Sequence, residues 1–199
     1  MRDAPVRRRR GPGSRADENH PTRLELLDAA VRLAERDGLR GLSIAEITTA
    51  AGHAKGTFYV HFADRAALLV ALQQRYHDTV FAQVISQTAD DPAGPDRLRR
   101  RLIAFLDACT ALPAVRALLL EARTEPAIAD EVDHRNQQAT LVLAADLTGV
   151  VEHPRETARI LVLAAADIAA RESTGQRRLP AARRSLLELV PQTSADGCC

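Results

Sequence analysis

The fold is decided by residues 43–65, which have the sequence SIAEITTAAGHAKGTFYVHFADR. Ser43 followed three residues later by Glu46 is a capping-box pattern, which predicts the start of a short helix. Gly52 ends that helix, and a second short helix is predicted over residues 54–62. Two short helices around a tight turn are typical of a helix-turn-helix, whose second helix enters the major groove of DNA.

The second helix of this segment carries polar groups over most of its surface. Phe58 and Phe62 are its only large apolar anchors, and their i, i+4 spacing places them on one edge of the helix. The other functional side chains are polar: Lys55, Thr57, Tyr59 and His61. A hairpin with a purely structural role does not require this arrangement, so the pattern favours an outward-facing recognition helix.

Helical patterns continue on both sides of the segment. Upstream, Thr22 with Glu25 forms another capping-box pattern, and Gly38 ends the helix. Apolar residues at helical spacing predict its buried face: Leu24, Leu27, Val31 and Ala34. Downstream, Asp64 is predicted to cap a long helix that ends near Thr88.

Prolines mark the remaining helices, because proline is favoured at the first helical position. They stand at positions 95, 113, 126, 154 and 180. The helices predicted from them cover about 95–111, 113–123, 126–148, 154–172 and 180–190. We therefore expect an all-α fold of about nine helices and no strand.

Composition supports this fold class and excludes several others. Ala (36) and Leu (25) make up nearly a third of the 199 residues, and both are strong helix formers. No apolar run approaches the length of a membrane span, and no apolar segment follows the charged N-terminus as in a signal peptide. Three cysteines make no disulfide framework, so we expect a cytoplasmic protein.

The charge is unevenly distributed along the chain. Lys plus Arg (27) nearly balance Asp plus Glu (26), and Lys55 is the single lysine. Residues 1–16 hold six Arg and one Asp, whereas residues 17–76 hold seven bases and eight acids. Residues 1–20 lack apolar periodicity, which predicts a disordered basic arm. This arm, with Arg7–Arg10, is either a solvated tail or a segment that binds DNA phosphates.

Residues 22–72 resemble the DNA-binding domain of TetR-type (tetracycline-repressor-like) transcriptional regulators. The resemblance lies in LELLDAAVRLAERDG, LSIAEITTAAG and KGTFYVHFADRAALL, and residues 55–62 are its most specific part. It implies a helix-turn-helix DNA-binding domain over 21–66, an effector-binding and dimerisation domain over 67–191, and a flexible tail over 192–199.

The resemblance also implies the residues that contact DNA. They are Ser43, Thr48, Lys55, Gly56, Thr57, Tyr59, His61 and Arg65. The hydroxyls, the aromatic pair Tyr59 and His61, and the basic groups would bind phosphates. Lys55 or Thr57 would contact a base edge, and Gly56 would allow the helix to approach DNA closely. Two departures stand out: His53 replaces a small apolar residue, and Ala54 replaces the usual Ser or Thr cap.

In the C-terminal part, the resemblance implies a homodimer and a small-molecule effector. The dimer would form through helices 154–172 and 180–190; the first is apolar over more than half its circumference, although a fully internal helix would have the same pattern. Candidate effector-binding residues are Tyr76, Phe81, Phe105, Cys109, Leu119, Arg123, His134, Gln138 and Leu143. The scarcity of aromatic residues favours aliphatic effectors.

We find no other chemistry in the sequence. No phosphate-binding glycine loop, metal-ligand spacing or catalytic constellation occurs, so we expect no metal, no cofactor and no enzyme activity. The expected function is a homodimeric repressor that binds a palindromic double-stranded DNA operator and releases it when an effector binds. The alternatives are an effector-independent DNA-binding protein and a helical protein–protein interaction module that has lost DNA binding.

Overall fold

The computed structural model describes residues 19–38, 42–112 and 126–192. Within these ranges the chain forms eight α-helices and no strand, which confirms the all-α class. They are α1 (Pro21–Asp37), α2 (Ile44–Ala50), α3 (Lys55–His61), α4 (Arg65–Gln87), α5 (Pro95–Ala111), α6 (Pro126–Ala144), α7 (Pro154–Gly175) and α8 (Pro180–Glu188). The expected helix over 113–123, the arm up to residue 18 and the tail from residue 193 lie outside the described residues.

The chain divides into two compact units, one up to Leu68 and one from Leu69 onward. In the first unit, α1 packs on α2 and α2 packs on α3. Its core contains Leu26, Ile47 and Phe58, none of which is exposed. The buried face of α1 agrees in part with the expected one: Leu27 and Ala34 are buried, but Leu24 is exposed, and Leu26 and Ala30 are buried in addition.

The start of α1 corrects the sequence prediction. The helix begins at Pro21, and its N-cap is His20, not Thr22. The Nδ1 atom of His20 accepts a hydrogen bond from the backbone N–H of Thr22 at 3.2 Å. Pro21 occupies the first helical position, where its missing N–H leaves no donor unsatisfied. Proline thus marks this helix in the same way as the later ones.

The turn between α2 and α3 follows from local sequence. The Ser43 Oγ accepts from the Glu46 N–H at 3.1 Å, and a Glu46 carboxylate oxygen accepts from the Ser43 N–H at 3.0 Å. This confirms the predicted capping box at α2. Gly52 has a φ of +74°, a left-handed conformation that glycine adopts without steric cost. The chain therefore reverses immediately after α2.

The second unit is a helical bundle with one apolar core. Helix α7 packs on α5, α6 and α8, and α8 also contacts α5. Leu98, Leu106, Leu147 and Leu161 are among its fully buried side chains. Helices α5, α6, α7 and α8 each begin at a proline, as the sequence predicts for these four.

Helix α6 is shorter than expected, because it ends at Ala144 instead of near residue 148. Residues 145–150 form turns, in which Gly149 has a φ of +76°. The Asp146 side chain in this turn is fully buried between two guanidinium groups, with Arg97 and Arg101 each 2.6 Å from one of its oxygens. The turn is thereby fixed to α5.

A second buried ionic cluster joins α5, α7 and α8. Arg183 donates to both carboxylate oxygens of Glu172, at 2.8 and 2.6 Å, and to Asp107. The Arg183 guanidinium holds the pKa of Glu172 below its ordinary value, against the opposing effect of burial. Such paired and hydrogen-bonded charges position helices even where they add little net stability.

None of the helices in the described ranges combines the length and apolar character needed for a membrane span.

Candidate nucleic-acid interface and effector cavity

Two phenylalanines hold α3 in the first unit: Phe58 within the helix, and Phe62, the C-cap residue that follows it. Phe58 is fully buried, Phe62 nearly so, and their ring centroids lie 5.3 Å apart. The guanidinium carbon of Arg23 lies 4.3 Å from the centroid of the Phe62 ring, a cation–π contact. Arg23 also donates to the backbone carbonyl of His61 at 3.3 Å. The C-terminal end of α3 is therefore attached to α1.

The rest of α3 presents polar groups to solvent. Lys55 and Gly56 are exposed, Thr57 is half-buried, and Tyr59 is 51% exposed. The Tyr59 ring packs edge-on against Phe58, with centroids 5.5 Å apart. The buried Phe58 ring thus supports an aromatic side chain that is half exposed to solvent. The face combines a cation, a hydroxyl donor and a phenol in two helical turns.

Gly56 is the one residue of α3 that the fold does not explain. A Cβ atom built at this position meets no heavy atom within 4 Å, and its φ is not positive. Glycine in a helix destabilises the protein by roughly 0.5–1 kcal/mol relative to alanine. The lack of a side chain at Gly56 is therefore not a packing requirement of this unit.

The first turn of α3 has no side-chain cap. Ala54 has the extended backbone conformation of an N-cap (φ −73°, ψ 148°) but offers no side-chain oxygen. The turn is closed only through the backbone, where the Thr57 N–H donates to the Ala54 carbonyl at 2.9 Å. An alanine at an N-cap loses typically about 1 kcal/mol relative to Ser or Thr.

Two residues predicted to contact DNA have buried side chains in this unit. Thr48 is 3% exposed, and its hydroxyl donates to the carbonyls of Ile44 and Ala45 at 2.9 and 3.1 Å. His61 is 8% exposed, and its ring lies 4.8 Å from the ring of His20. The Thr48 hydroxyl thus bonds within α2, and the His61 ring packs beside His20; periodicity alone did not reveal this burial.

Ser43 and Arg65 lie at the edges of the helix-turn-helix. Ser43 is exposed, and the bond that its hydroxyl oxygen accepts from Glu46 leaves the O–H able to donate to another group. The Nε of Arg65 donates to the Leu42 carbonyl at 3.1 Å, which ties the start of α4 to the residue before Ser43.

His53, the unusual residue after the turn glycine, has a defined contact. Its Nε2 lies 2.7 Å from a carboxylate oxygen of Glu25. Glu25 is therefore not a partner in a capping box at the start of α1, as the sequence pattern suggested. It instead connects the second turn of α1 to the turn between α2 and α3.

The second unit contains a cavity of about 110 Å³. Its walls come from α4, α5, α6 and α7. Five of the nine predicted effector-binding residues line it: Tyr76, Phe81, Phe105, Cys109 and Leu143. Burial raises the pKa of the Cys109 thiol to about 12, so this cysteine contributes an apolar surface and not a thiolate.

The other four predicted residues lie elsewhere. Leu119 and Arg123 lie outside the described residues. His134 and Gln138 are exposed and do not line the cavity; their side-chain nitrogens are 3.1 Å apart, on the surface of α6. Polar character alone suggested these two, but their position on α6 turns them away from the cavity wall.

The sequence analysis missed the polar part of the cavity wall on α4. Gln73 and His77 line the cavity one turn apart, among the apolar residues Val80 and Val84 of the same helix. Gln73 is 7% exposed, and its Oε1 has no hydrogen-bond partner among the described residues. Two polar residues at i and i+4 on an otherwise apolar face were the available signal.

The basic groups at the cavity are already neutralised. Arg101 donates to the buried Asp146, and Arg135 is 2.6 Å from a Glu131 oxygen and 2.7 Å from an Asp78 oxygen. Burial, helped by the positive charge of Arg135, lowers the pKa of His77 from 6.5 to about 4. At neutral pH the cavity wall therefore presents a neutral imidazole and two paired guanidinium groups.

The first unit is thus a helix-turn-helix with an exposed polar second helix. Residues 26–72 match the family model for bacterial regulatory proteins of the tetR family. The match includes α2, α3 and the start of α4, so the helix-turn-helix of this chain is similar to that of the tetR family.

Two curated relatives agree with the domain match. The HTH-type transcriptional regulator AcrR of Shigella flexneri is 29% identical over 104 residues, 52% of this chain and 48% of that protein. The HTH-type transcriptional regulator TtgR of Pseudomonas putida is 29% identical over 108 residues, 54% of this chain and 48% of that protein. The chain therefore spans about half the length of the curated relatives it matches.

The likeness of fold extends further along the chain than the likeness of sequence. The structure of the fatty acid degradation regulator FadR from Bacillus halodurans superposes with a TM-score of 0.70 at 18% identity. The superposition covers 85% of this chain and 94% of that one. It shows that the helices of both units follow the fold of a known regulator.

Proposed function

We propose that this protein is a DNA-binding transcriptional repressor whose α3 enters the major groove. The exposed face of α3 carries the proposal, because it offers Lys55, Thr57 and Tyr59 around a glycine that packing does not require. Lysine donates to guanine edges or phosphates, and a threonine can bond a base or pack its methyl group on thymine. Tyr59 would donate its phenol O–H to a phosphate.

Other groups would fix the domain on the DNA backbone. These groups are the exposed Ser43 hydroxyl and the guanidinium of Arg65, which donates to the carbonyl of Leu42, the residue before Ser43. Phosphate contacts of this kind position a protein without selecting a sequence. Thr48 and His61 would contribute indirectly, since both side chains are buried in the unit whose helices carry the exposed groups.

The basic arm would add long-range attraction, because residues 17–76 are close to neutral while residues 1–16 hold six Arg. Each arginine–phosphate contact lowers the logarithmic salt slope by roughly 0.9. Removal of residues 1–16 should therefore weaken binding to all duplexes and flatten the salt dependence. Titrations of truncated and full-length protein at two salt concentrations measure both effects, and an unchanged slope would exclude the arm.

A homodimer through α7 and α8 completes the proposal. Ile160 is 63% and Leu163 46% exposed on α7, whereas Leu161 and Ala165 on its other side are buried in the unit. An α-helix with apolar residues on both sides is typically covered on both sides. Two copies of α3 would then bind the two halves of a palindromic operator.

The cavity of the second unit would hold the effector. It lies entirely within that unit, and mostly apolar side chains line it, as is usual for small-molecule sites. The curated relatives carry names that describe them as transcriptional regulators. A ligand-responsive repressor would use all three features: the exposed α3 to bind DNA, the exposed apolar face of α7 to form the dimer, and the cavity to bind the effector.

Selection of binding sites from a pool of random duplexes tests the DNA-binding proposal. Wild-type protein should enrich an inverted repeat, and Lys55→Ala should weaken binding to it by roughly 5- to 100-fold, equivalent to about 1–3 kcal/mol. Arg32→Ala is the matched control, since it also removes one exposed positive charge from the first unit. Equal losses in both variants would mean that α3 does not select the sequence, and no enrichment would favour a protein-interaction module.

The oligomeric state tests the dimer. Leu163→Arg should give a monomer in sedimentation experiments. Ile103→Arg, which changes an apolar residue of similar size and exposure on α5, should leave the dimer intact. A dimer that survives Leu163→Arg would exclude α7 as the interface. Addition of candidate effectors to the DNA complex then separates a ligand-responsive repressor from an effector-independent one.

A further inference from the structure

We propose that the cavity in the second unit selects a small, largely apolar ligand that donates a hydrogen bond to Gln73, with His77 beside it. This inference rests on the proposed function, in which the same cavity holds the effector. It goes further by assigning the chemical class: an uncharged alcohol, phenol or amide N–H compound, and not a carboxylic acid.

The unpaired acceptor in the wall is the first observation. The Oε1 of Gln73 is buried without a hydrogen-bond partner among the described residues, although the side chain is more than nine-tenths buried. The Nδ1 of His77 is buried and likewise has no such partner. Both residues line the cavity from the same face of α4, one turn apart.

Buried polar groups in proteins nearly always have partners, because an unsatisfied group has given up its hydrogen bonds to water without replacement. Two such atoms on one wall of one cavity therefore mark a place where a ligand supplies the missing hydrogen-bond partners, including a donor for the Gln73 oxygen. A ligand without a donor would leave the acceptor of Gln73 desolvated and unpaired. The cavity should accordingly discriminate against an analogue that differs only in this group.

The charges around the cavity exclude an acid as the preferred ligand. Arg101 is paired with Asp146, and Arg135 is paired with Glu131 and Asp78. A carboxylate in the cavity would have to compete with these carboxylates for the guanidinium groups. It would also place its oxygens against the oxygen of Gln73, which accepts and cannot donate at that atom.

The remaining wall is mostly apolar, with Asn136, the Tyr76 ring and the two paired arginines as its other polar members, and it determines the rest of the ligand. Phe81, Phe105 and Leu102 line it together with the sulfur of Cys109. Burial keeps this thiol protonated, so it packs as an apolar group. A short alkyl chain or a single ring with one polar end matches this lining.

Three probes of nearly the same shape test the inference by calorimetric titration of the full chain: 4-propylphenol, 4-propylanisole and 4-propylbenzoate. The phenol carries the donor, the anisole lacks it and the benzoate carries the charge. We expect saturable binding of the phenol to one site per chain, roughly tenfold tighter than the anisole, and weaker binding of the benzoate than of either.

The variant Gln73→Leu assigns the selectivity to its residue. It replaces the acceptor by an apolar side chain of similar size, so the phenol should bind about tenfold more weakly while the anisole is unchanged. Gln74→Leu is the matched control, because Gln74 binds Glu131 and does not line the cavity; it should retain the preference. Circular dichroism of both variants confirms that they fold.

Several results would overturn the inference. They are tighter binding of the benzoate, equal binding of phenol and anisole, a phenol preference that survives Gln73→Leu, and no binding of any probe. Duplex binding measured on the same preparation keeps the two proposals apart. A protein that binds its selected duplex but shows one of these results has lost only the assigned ligand class, whereas failure to bind any duplex contradicts the proposed function itself.

Discussion

Replacement of Gly56 by alanine should change stability and DNA binding in opposite directions. The added methyl group would meet no protein atom within 4 Å, and the backbone at Gly56 is not in the left-handed region. Alanine also reduces the conformational freedom of the unfolded chain and has a higher helix propensity. We therefore expect Gly56→Ala to stabilise the protein by roughly 0.5–1 kcal/mol.

The same methyl group would project from the exposed face of α3. If this face lies against the floor or wall of the major groove, one methyl group is enough to displace the helix from its contacts. An affinity loss of tenfold or more corresponds to about 1.4 kcal/mol. A gain in stability together with a loss in affinity would show that the glycine serves the DNA partner and not the fold.

Urea denaturation measures the first effect, and titration of the selected duplex at constant salt measures the second. Gly52→Ala is the control, because it adds the same methyl group at a φ of +74° and should cost about 1–2 kcal/mol of stability. The reasoning fails if Gly56→Ala binds the duplex as tightly as the wild-type protein. It also fails if Gly56→Ala destabilises the protein, since a hidden packing role for glycine would then exist.

Three further predictions follow from the caps, the buried charges and the cavity. Ala54→Ser should add the missing cap of α3, stabilise the protein by about 1 kcal/mol and slow hydrogen exchange in residues 55–61; unchanged exchange would mean that no cap forms. Asp146→Ala removes the carboxylate partner of the buried Arg101 and the partly buried Arg97 and should cost about 3–5 kcal/mol in urea denaturation. Asp167→Ala, in an exposed 3.8 Å pair, should cost less than about 1 kcal/mol. The pKa of His77 is about 4 in the folded protein and 6.5 in the unfolded chain. As the pH falls below 6.5, the unfolded chain therefore binds the proton first, which favours unfolding. The free energy of unfolding of the wild-type protein should be roughly 2 kcal/mol lower at pH 5 than at pH 7. His77→Phe should lack that part of the loss, and identical pH dependence in both proteins would contradict the assignment.

The features that the sequence predicted well depend on neighbouring residues. The capping box of Ser43 and Glu46 spans three residues, and the turn at Gly52 needs only one residue with a positive φ. Proline at the first helical position located four later helices and would have located α1 as well. The Thr22 cap was wrong because the helix start was taken from the apolar pattern, which begins after the proline.

The features that the sequence did not predict depend on contacts between distant elements. Thr48 lies on a short helix where polar residues are usually exposed, and its burial comes from back-bonding to α2 itself and from packing. The partner of His53 is 28 residues away on α1. In the cavity, single helices indicated which residues are apolar, but only the packing of four helices showed that Gln73 faces inward and His134 outward.

The distribution of arginine partners separates structural charge from functional charge. In the second unit, Arg101, Arg135 and Arg183 each contact carboxylates within the unit, and each connects two or more helices or turns. Neighbouring carboxylates neutralise the positive charge of these three arginines, so the abundance of arginine in this unit does not indicate affinity for nucleic acid. Lys55 differs because it is exposed on α3, among groups that can contact bases. A nearly neutral net charge is therefore compatible with DNA binding, since the charges that matter for recognition are few and their position on α3 decides their effect.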